Sequence, residues 1–470
     1  MKTNFSEFQL VDPHVVEADK ILKTCQHFGF CTSGCPTYVI LHNEKDGPRG
    51  RIDLIKEMLE SGTAPSAETV AHIDGCLSCM SCMTTCAVNV DYMHLVDIGR
   101  AHIEEHYKRP VRERLVRNTL SYIMSRPALF RPALALGRLA ARVEYIIPRS
   151  MRHVTQLVPK RTEGNIELIP HANIYPAQGS KRWRVALLAG CVQPVLSPHI
   201  NDATIRMLTR FGCEVIVPQA SGCCGSLNLH MGKHAAAQQF AKLNVQAWIK
   251  ELNDSGLDAI LTNASGCGTT VKDYGHLLRD DAAMAEPADR VGGLAMGICE
   301  WLAKMELPEP EMPRRYRVAY HDACSLRNAQ KVVSQPRTLL RGAGFQVADI
   351  PEAHFCCGSA GTYNILQPSM AQELGKRKAS NISRTSPQII AAGNIGCITQ
   401  IGIYSEIPIA HTVELLDWAH GGPLPLALKN LSLEEIAPEL RPDAESERPA
   451  EKIIHLLNKK DADQSNVGVW

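Results

Sequence analysis

Residues 76–87, CLSCMSCMTTCA, hold four cysteines at C-x2-C-x2-C-x3-C. Two-residue gaps let a short loop wrap three thiolates around one [4Fe-4S] cubane, while the fourth cysteine points away and serves a neighbouring cluster where two such runs occur together. A second run lies upstream at residues 25–36, CQHFGFCTSGCP, with Cys25, Cys31, Cys35 and Pro36 on the pattern and Phe28 in one cysteine slot. By the crossing rule Cys76, Cys79, Cys82 and Cys35 form one complete [4Fe-4S] set, leaving Cys25, Cys31 and Cys86 for the other. Three thiolates are enough for a [3Fe-4S] cluster, or for a [4Fe-4S] cluster whose fourth iron takes water or an imidazole. The adjacent His27 is expected to point elsewhere. The competing expectation is an empty loop in which Phe28 packs as core. Zinc also uses CxxC pairs, but seven cysteines in two runs of this form fit it poorly.

Between the runs, DGPRGRIDLIKEMLESG predicts a helix with Ile52, Leu54, Ile55, Met58 and Leu59 on its apolar face and Gly62 as C-cap. Arg49 and Arg51 either offset the charge of thiolate-ligated clusters or form a solvated face. After Cys86, Leu95, Ile98 and Ile103 mark a second helix that ends before Pro110. His94, His102 and His106 on it read as surface or core residues, because thiolates already fill the ligand roles. Residues 1–107 therefore read as a helical, ferredoxin-like domain with two cluster sites.

The chain has 470 residues, long enough for several domains. Fifty Lys and Arg against 49 Asp and Glu give no overall charge argument for nucleic acid as a partner. The N-terminus lacks the pattern of a secretory leader, and no apolar run approaches the ~20 residues of a membrane span. A cytoplasmic chain is expected, with peripheral contact at the inner membrane as an option. In a reducing compartment, 17 cysteines in short regular spacings favour metal over disulfides. The local charge is uneven: from Lys108 to Arg161 there are 13 Lys and Arg against Glu113 and Glu144 alone. Residues 108–180 read as a basic connector, broken into short helices by Pro127, Pro132, Pro148 and Pro159 and ending in an extended linker over 162–180. Such a segment suits an anionic membrane surface or an acidic partner, or simply packs its apolar stripe on neighbouring domains.

The rest of the chain is a repeat with an offset of 133 residues. RVALLAGC ends at Cys191 and RVAYHDAC at Cys324; after 31 intervening residues each copy reaches a CCG, Cys223-Cys224-Gly225 and Cys356-Cys357-Gly358. Each then reaches one more cysteine after an apolar run, Cys267 and Cys397, and closes on a helical pattern, GICEWLAKM and HTVELLDWA. Apolar runs alternating with helical stretches predict alpha/beta layers with a largely parallel sheet, whose strand ends collect ligands. Four thiols would converge at one rim in each of two cysteine-rich repeats, 181–310 and 311–425, followed by a tail over 426–470. Cys213 and Cys299 have no repeat partner and read as core thiols.

Two ferredoxin-type runs followed by two CCG repeats resemble the glycolate oxidase iron-sulfur subunit family, within the wider heterodisulfide-reductase-like proteins. The resemblance spans about residues 10–420 and includes GFCTSGCPTY, DGPRGRIDLIKEML, YMHLVDIGR, NASGCGT and HTVELLDWA. It implies a complex in which flavin-bearing partner chains oxidise glycolate or a related 2-hydroxy acid while this subunit passes electrons toward a respiratory-chain acceptor. No dehydrogenase activity is expected of the chain alone, because it shows no flavin fingerprint. The absence of a G-x-G-x-x-G and of a Walker loop agrees that neither flavin nor nicotinamide binds here. Lactate or glycerol 3-phosphate oxidation, and a zinc-binding scaffold, are the alternatives. Two departures stand out. Thr270 and Gln400 replace the last cysteine of the full C-x-x-C ending, so each CCG site has four thiols, open to an iron-sulfur cluster, zinc or nothing. Ala87 replaces the proline expected after Cys86.

Overall fold

The computed structural model describes residues 1–142, 155, 157, 158, 173–310 and 314–429, and Met1–Lys429 form one compact unit. In the N-terminal part, Pro13–Thr24, Pro48–Ser61, Ala67–Asp74 and Tyr92–His106 are helices. Pro48 starts its helix at a position whose N–H needs no partner, and Gly62 ends it at φ 60°. Asp91 caps the Tyr92–His106 helix. The predicted apolar faces meet: Ile52, Ile55, Met58 and Leu59 pack with Leu22, Leu95, Val96 and Ile103, and Cys25, Cys76 and Cys82 belong to the same cluster. The thiol loops thus rest directly on the helical core.

The basic segment folds onto this core. Val111–Met124 and Pro127–Arg142 are helices, and Pro132 lies inside the second rather than breaking it. A proline there removes one backbone bond and crowds one carbonyl, which the rest of the helix tolerates. Arg109 and Arg117 are buried against Asp74 and Glu113, at 2.6 to 3.0 Å. These cations are structural ion pairs and are not free for a membrane or a partner. Pro148, Pro159 and most of the predicted linker lie outside the described residues. Its last part is not all linker: Asn173–Tyr175 forms an edge strand, β1, antiparallel to the strand Cys213–Val217.

Each repeat carries its own sheet. The first has the order β1-β3-β2-β4-β5, with β2 Trp183–Leu187, β3 Cys213–Val217, β4 Ala259–Thr262 and β5 Ala295–Gly297. The second has the order β7-β6-β8-β9, with β6 Arg317–His321, β7 Gln346–Asp349, β8 Ile389–Ala392 and β9 Ile409–His411. All of these pairings except that of β1 are parallel. The inner strands β2, β4 and β8 are short, apolar and buried almost along their length, which suits a parallel sheet covered by helices, while the edge strand β7 is partly exposed. The two repeats also touch. Gln330 donates to the Ser265 carbonyl at 2.8 Å, His411 Nε2 to the Asn263 carbonyl at 2.8 Å, and Arg206 and Arg210 reach Asp417 at 2.9 and 2.8 Å.

Candidate metal centres

Cys35, Cys76, Cys79 and Cys82, predicted from two separate runs, line one small cavity of about 20 Å³ with Arg51 and Tyr92. Thr37 Oγ1 lies 3.2 Å from Cys35 Sγ, Tyr92 donates to Cys76 Sγ at 3.6 Å, and the Ser78 N–H reaches Cys76 Sγ at 3.5 Å. Arg51 is 1% exposed. Its guanidinium donates to Thr37 at 3.1 Å and to the His72 carbonyl at 2.7 Å, and sits 4.0 Å from Cys35 Sγ. Burial would raise the Cys76 thiol, but the cations of Arg51 and Arg100 outweigh it and hold the thiol below its usual range. Burial and neighbouring thiols push Cys79 and Cys82 well up. Four inward thiols, a buried cation and N–H groups aimed at sulfur fit an iron-sulfur cluster: the thiolates would ligate it, and the cation and donors would offset their charge.

Cys25, Cys31 and Cys86 line the adjoining cavity of about 40 Å³, with Cys82 in its wall as well. The two loops share a backbone. His27 and Ser78, in corresponding slots, have φ 55° and 48°; Gly29 and Met80 have φ 83° and 56°. Three of these four are not glycine, so both loops carry the same costly left-handed turns. Phe28 occupies the slot of Cys79. It does not pack as core, because it is 60% exposed and stands beside Phe30, 61% exposed, with ring centroids 6.3 Å apart. His27 Nε2 lies 3.5 Å from the Asp53 carboxylate. Burial and the neighbouring Cys25 push the Cys31 thiol up to about 11. Arg49 is a half-exposed ion pair with Glu44 at 2.6 Å, whereas Arg51 is committed to the inner site.

In each repeat the thiols gather at the carboxyl ends of three neighbouring strands. Cys191 follows β2, the CCG follows β3, and Cys267 lies in the first turn of Ser265–Lys272 after β4. Cys324, Cys356-Cys357 and Cys397 hold the same places after β6, β7 and β8. The CCG glycines are required. Gly225 and Gly358 have φ 88° and 89°, and a Cβ there would meet the Ala237 carbonyl oxygen at 2.9 Å and that of Ala371 at 2.6 Å. Their N–H groups each reach the first CCG sulfur at 3.4 Å. Hydrogen bonds from Cys191 and Cys224 hold Cys223 well below the usual thiol range, and those from Cys324 and Cys357 do the same for Cys356. Cys324 and Cys356 sulfurs lie 3.9 Å apart. Cys397 falls to about 5 through Cys357 and then His321. Gln400 is turned away, bonded to Asn364 at 3.0 Å and to the Ala371 carbonyl at 2.9 Å. Cys213 and Cys299 stand apart from both sets, and burial raises them to about 11 and about 12.

These sites adjoin one another. Cys79 packs in one buried cluster with Cys356, Leu77, Tyr363 and Leu374. Asn328 donates to the Cys79 carbonyl at 2.9 Å, and Tyr363 to that of Gly75 at 3.1 Å. Cys191, Cys224 and Cys267 face Cys324, Cys356, Cys357 and Cys397 across one cavity of about 170 Å³.

Known proteins match this arrangement segment by segment. The 4Fe-4S dicluster domain family matches residues 24–91, and the cysteine-rich domain family matches 185–272 and 318–402. The glycolate oxidase iron-sulfur subunit of Escherichia coli (strain K12) is 38% identical over 419 residues, 89% of this chain and 99% of that one. The chain belongs to the glycolate oxidase iron-sulfur subunit family. A probable glycolate oxidase iron-sulfur subunit of Bacillus subtilis (strain 168) is 28% identical over 85% of this chain and 94% of its own. Lactate utilization protein A of Oceanobacillus iheyensis is 26% identical over 50% of this chain and 96% of its own. The chain is thus a multidomain iron-sulfur protein of this family, with a helical dicluster domain followed by two alpha/beta cysteine-rich domains.

Sequence reasoning left Arg51 as an even choice and missed Tyr92, Asn328, His321 and the shared cavity. Only His321 left a signal, as a break in the repeat where the first copy has Leu188.

Proposed function

We propose that this chain is the electron-transfer subunit for oxidation of glycolate, or a closely related 2-hydroxy acid, by a flavin-bearing partner, and that it is inactive alone. The observation that carries the reading is the series of thiol sets from the outer loop through Cys79 and Cys356 to the cavity between the repeats. An iron-sulfur cluster in such a set takes up and releases one electron at a time. The chain's own residues would hold the clusters, exclude water around the inner set, and supply positive charge through Arg51 and Arg100. Cys35, Cys76, Cys79 and Cys82 would ligate a [4Fe-4S] cluster, and Cys25, Cys31 and Cys86 a three-iron or labile cluster. The thiols of each repeat would ligate a further centre.

Electrons would enter at the outer loop, where Phe28 and Phe30 present an exposed aromatic pair beside the first set. They would leave from the cavity between the repeats toward a respiratory-chain acceptor. No helix among the described residues is long and apolar enough to cross a membrane. Peripheral attachment would use the exposed Arg112 and Arg114 with their neighbours Val111 and Leu115. Near full-length similarity to two glycolate oxidase subunits favours glycolate over lactate, where the named relative matches half of the chain. The test is metal analysis of the anaerobically purified chain, then mixing with its flavin partner. Iron with acid-labile sulfide, and bleaching of its absorption by glycolate only when the partner is present, are expected. Zinc without sulfide would establish a scaffold instead.

A further inference from the structure

The two repeats depart from each other at one buried position that faces the thiols. RVALLAGC and RVAYHDAC align residue for residue on Cys191 and Cys324, and three residues before the cysteine the first has Leu188 and the second His321. Both are buried, at 2% and 1% exposure. His321 closes β6 opposite Ala392, the last residue of β8, at the strand ends where the thiols collect. One nitrogen of its ring and the sulfurs of Cys357 and Cys397 all lie within 4.8 Å of one another. Neither ring nitrogen has a nitrogen or oxygen partner. Buried imidazoles ordinarily satisfy both nitrogens with nitrogen or oxygen partners, whereas the one hydrogen-bond neighbour of this ring is the Cys397 sulfur. The adjacent carboxylate cannot supply such a partner, because Asp322 is gripped by both Arg337 terminal nitrogens at 2.8 and 2.6 Å. A buried imidazole whose neighbours are two thiols is the donor set of a mixed Cys/His metal centre.

We propose that His321 ligates the metal centre of the second repeat beside Cys357 and Cys397, whereas the first repeat, with Leu188, holds an all-thiolate centre. This goes beyond the relay and rests on only one part of it, that the repeats bind metal. A four-coordinate centre that takes His321 uses three of the four thiolates, and a neutral imidazole in place of the fourth removes negative charge and raises the potential where that centre is a cluster. The second repeat then becomes the more easily reduced of the pair, next to Cys79.

The test uses the full chain, purified anaerobically with 15N-labelled histidine, as wild type, His321→Leu and His321→Cys. Leucine is what the first repeat buries at this position, and cysteine keeps a donor. Iron, sulfide and zinc are counted, and nitrogen coupling is read by pulsed EPR, on iron directly or on cobalt exchanged for zinc. Wild type should show one coupled centre, and both variants should lose the coupling. His321→Leu should release metal to a chelator about tenfold faster or more, and His321→Cys should retain it. Equal coupling and equal retention in wild type and His321→Leu would overturn the proposal. So would a wild-type second repeat without metal, an outcome that leaves the N-terminal cluster sites of the relay standing.

Discussion

The loops at 25–36 and 76–87 have the same spacing and the same left-handed turns, yet one closes over four buried thiols and the other presents Phe28 to solvent. Backbone course is set by the spacing and by the helices that flank each loop. Ligand count and exposure are set by a single side chain in a slot that the backbone does not read. A loop can thus keep the backbone of a cluster site while losing a ligand.

The largest contrast comes from replacing the residue in the shared slot. Cys79→Ser should abolish the low-temperature EPR signal of the complete [4Fe-4S] centre in the reduced chain, whereas Phe28→Ser should leave iron content and signals unchanged. If both variants lose equal iron, the two loops are equivalent and the contrast is false. Next come the arginines. Arg51→Met removes a buried cation from among Cys35, Cys76 and Asp46 and should cost about 3 to 5 kcal/mol in chemical denaturation of the anaerobic protein, because it leaves buried charge unpaired. Arg49→Met, at a half-exposed ion pair, should cost under about 1 kcal/mol. Equal costs would show that the two loops share one electrostatic environment. The smallest change is Phe28→Cys, which should add about one iron per chain and convert the outer site to an ordinary [4Fe-4S] centre. Unchanged iron would mean that Phe28 never stood in a ligand slot.

The ligand slots were legible because tetrahedral iron confines thiol spacing to a few patterns, and the repeat was legible because equal spacing carries equal topology. The helix from Pro48 to Ser61 and the strand order around each CCG follow from periodicity and parallel connection. Packing between distant segments was not legible. That Arg51 rather than Arg49 turns inward depends on where Thr37 and His72 arrive in the fold. That Cys79 meets Cys356 depends on docking between domains, which leaves no trace in local spacing. The strand at Asn173–Tyr175 reads as linker in the sequence, because three residues are too few for a period to show. Pro132 misled in the opposite direction, since a proline marks a break only where the helix cannot spare one bond.

The central claim is that electrons pass from the outer loop through the inner set to the repeats, and rapid-freeze EPR of the anaerobic chain mixed with its flavin partner and glycolate tests it most directly. In the wild type, signals from the N-terminal centres and from the repeats should all appear. In Cys79→Ser, with the inner centre gone, the outer centre should still be reduced while the repeats stay oxidised on the same time scale. Repeat centres reduced as fast in Cys79→Ser as in wild type would contradict the account.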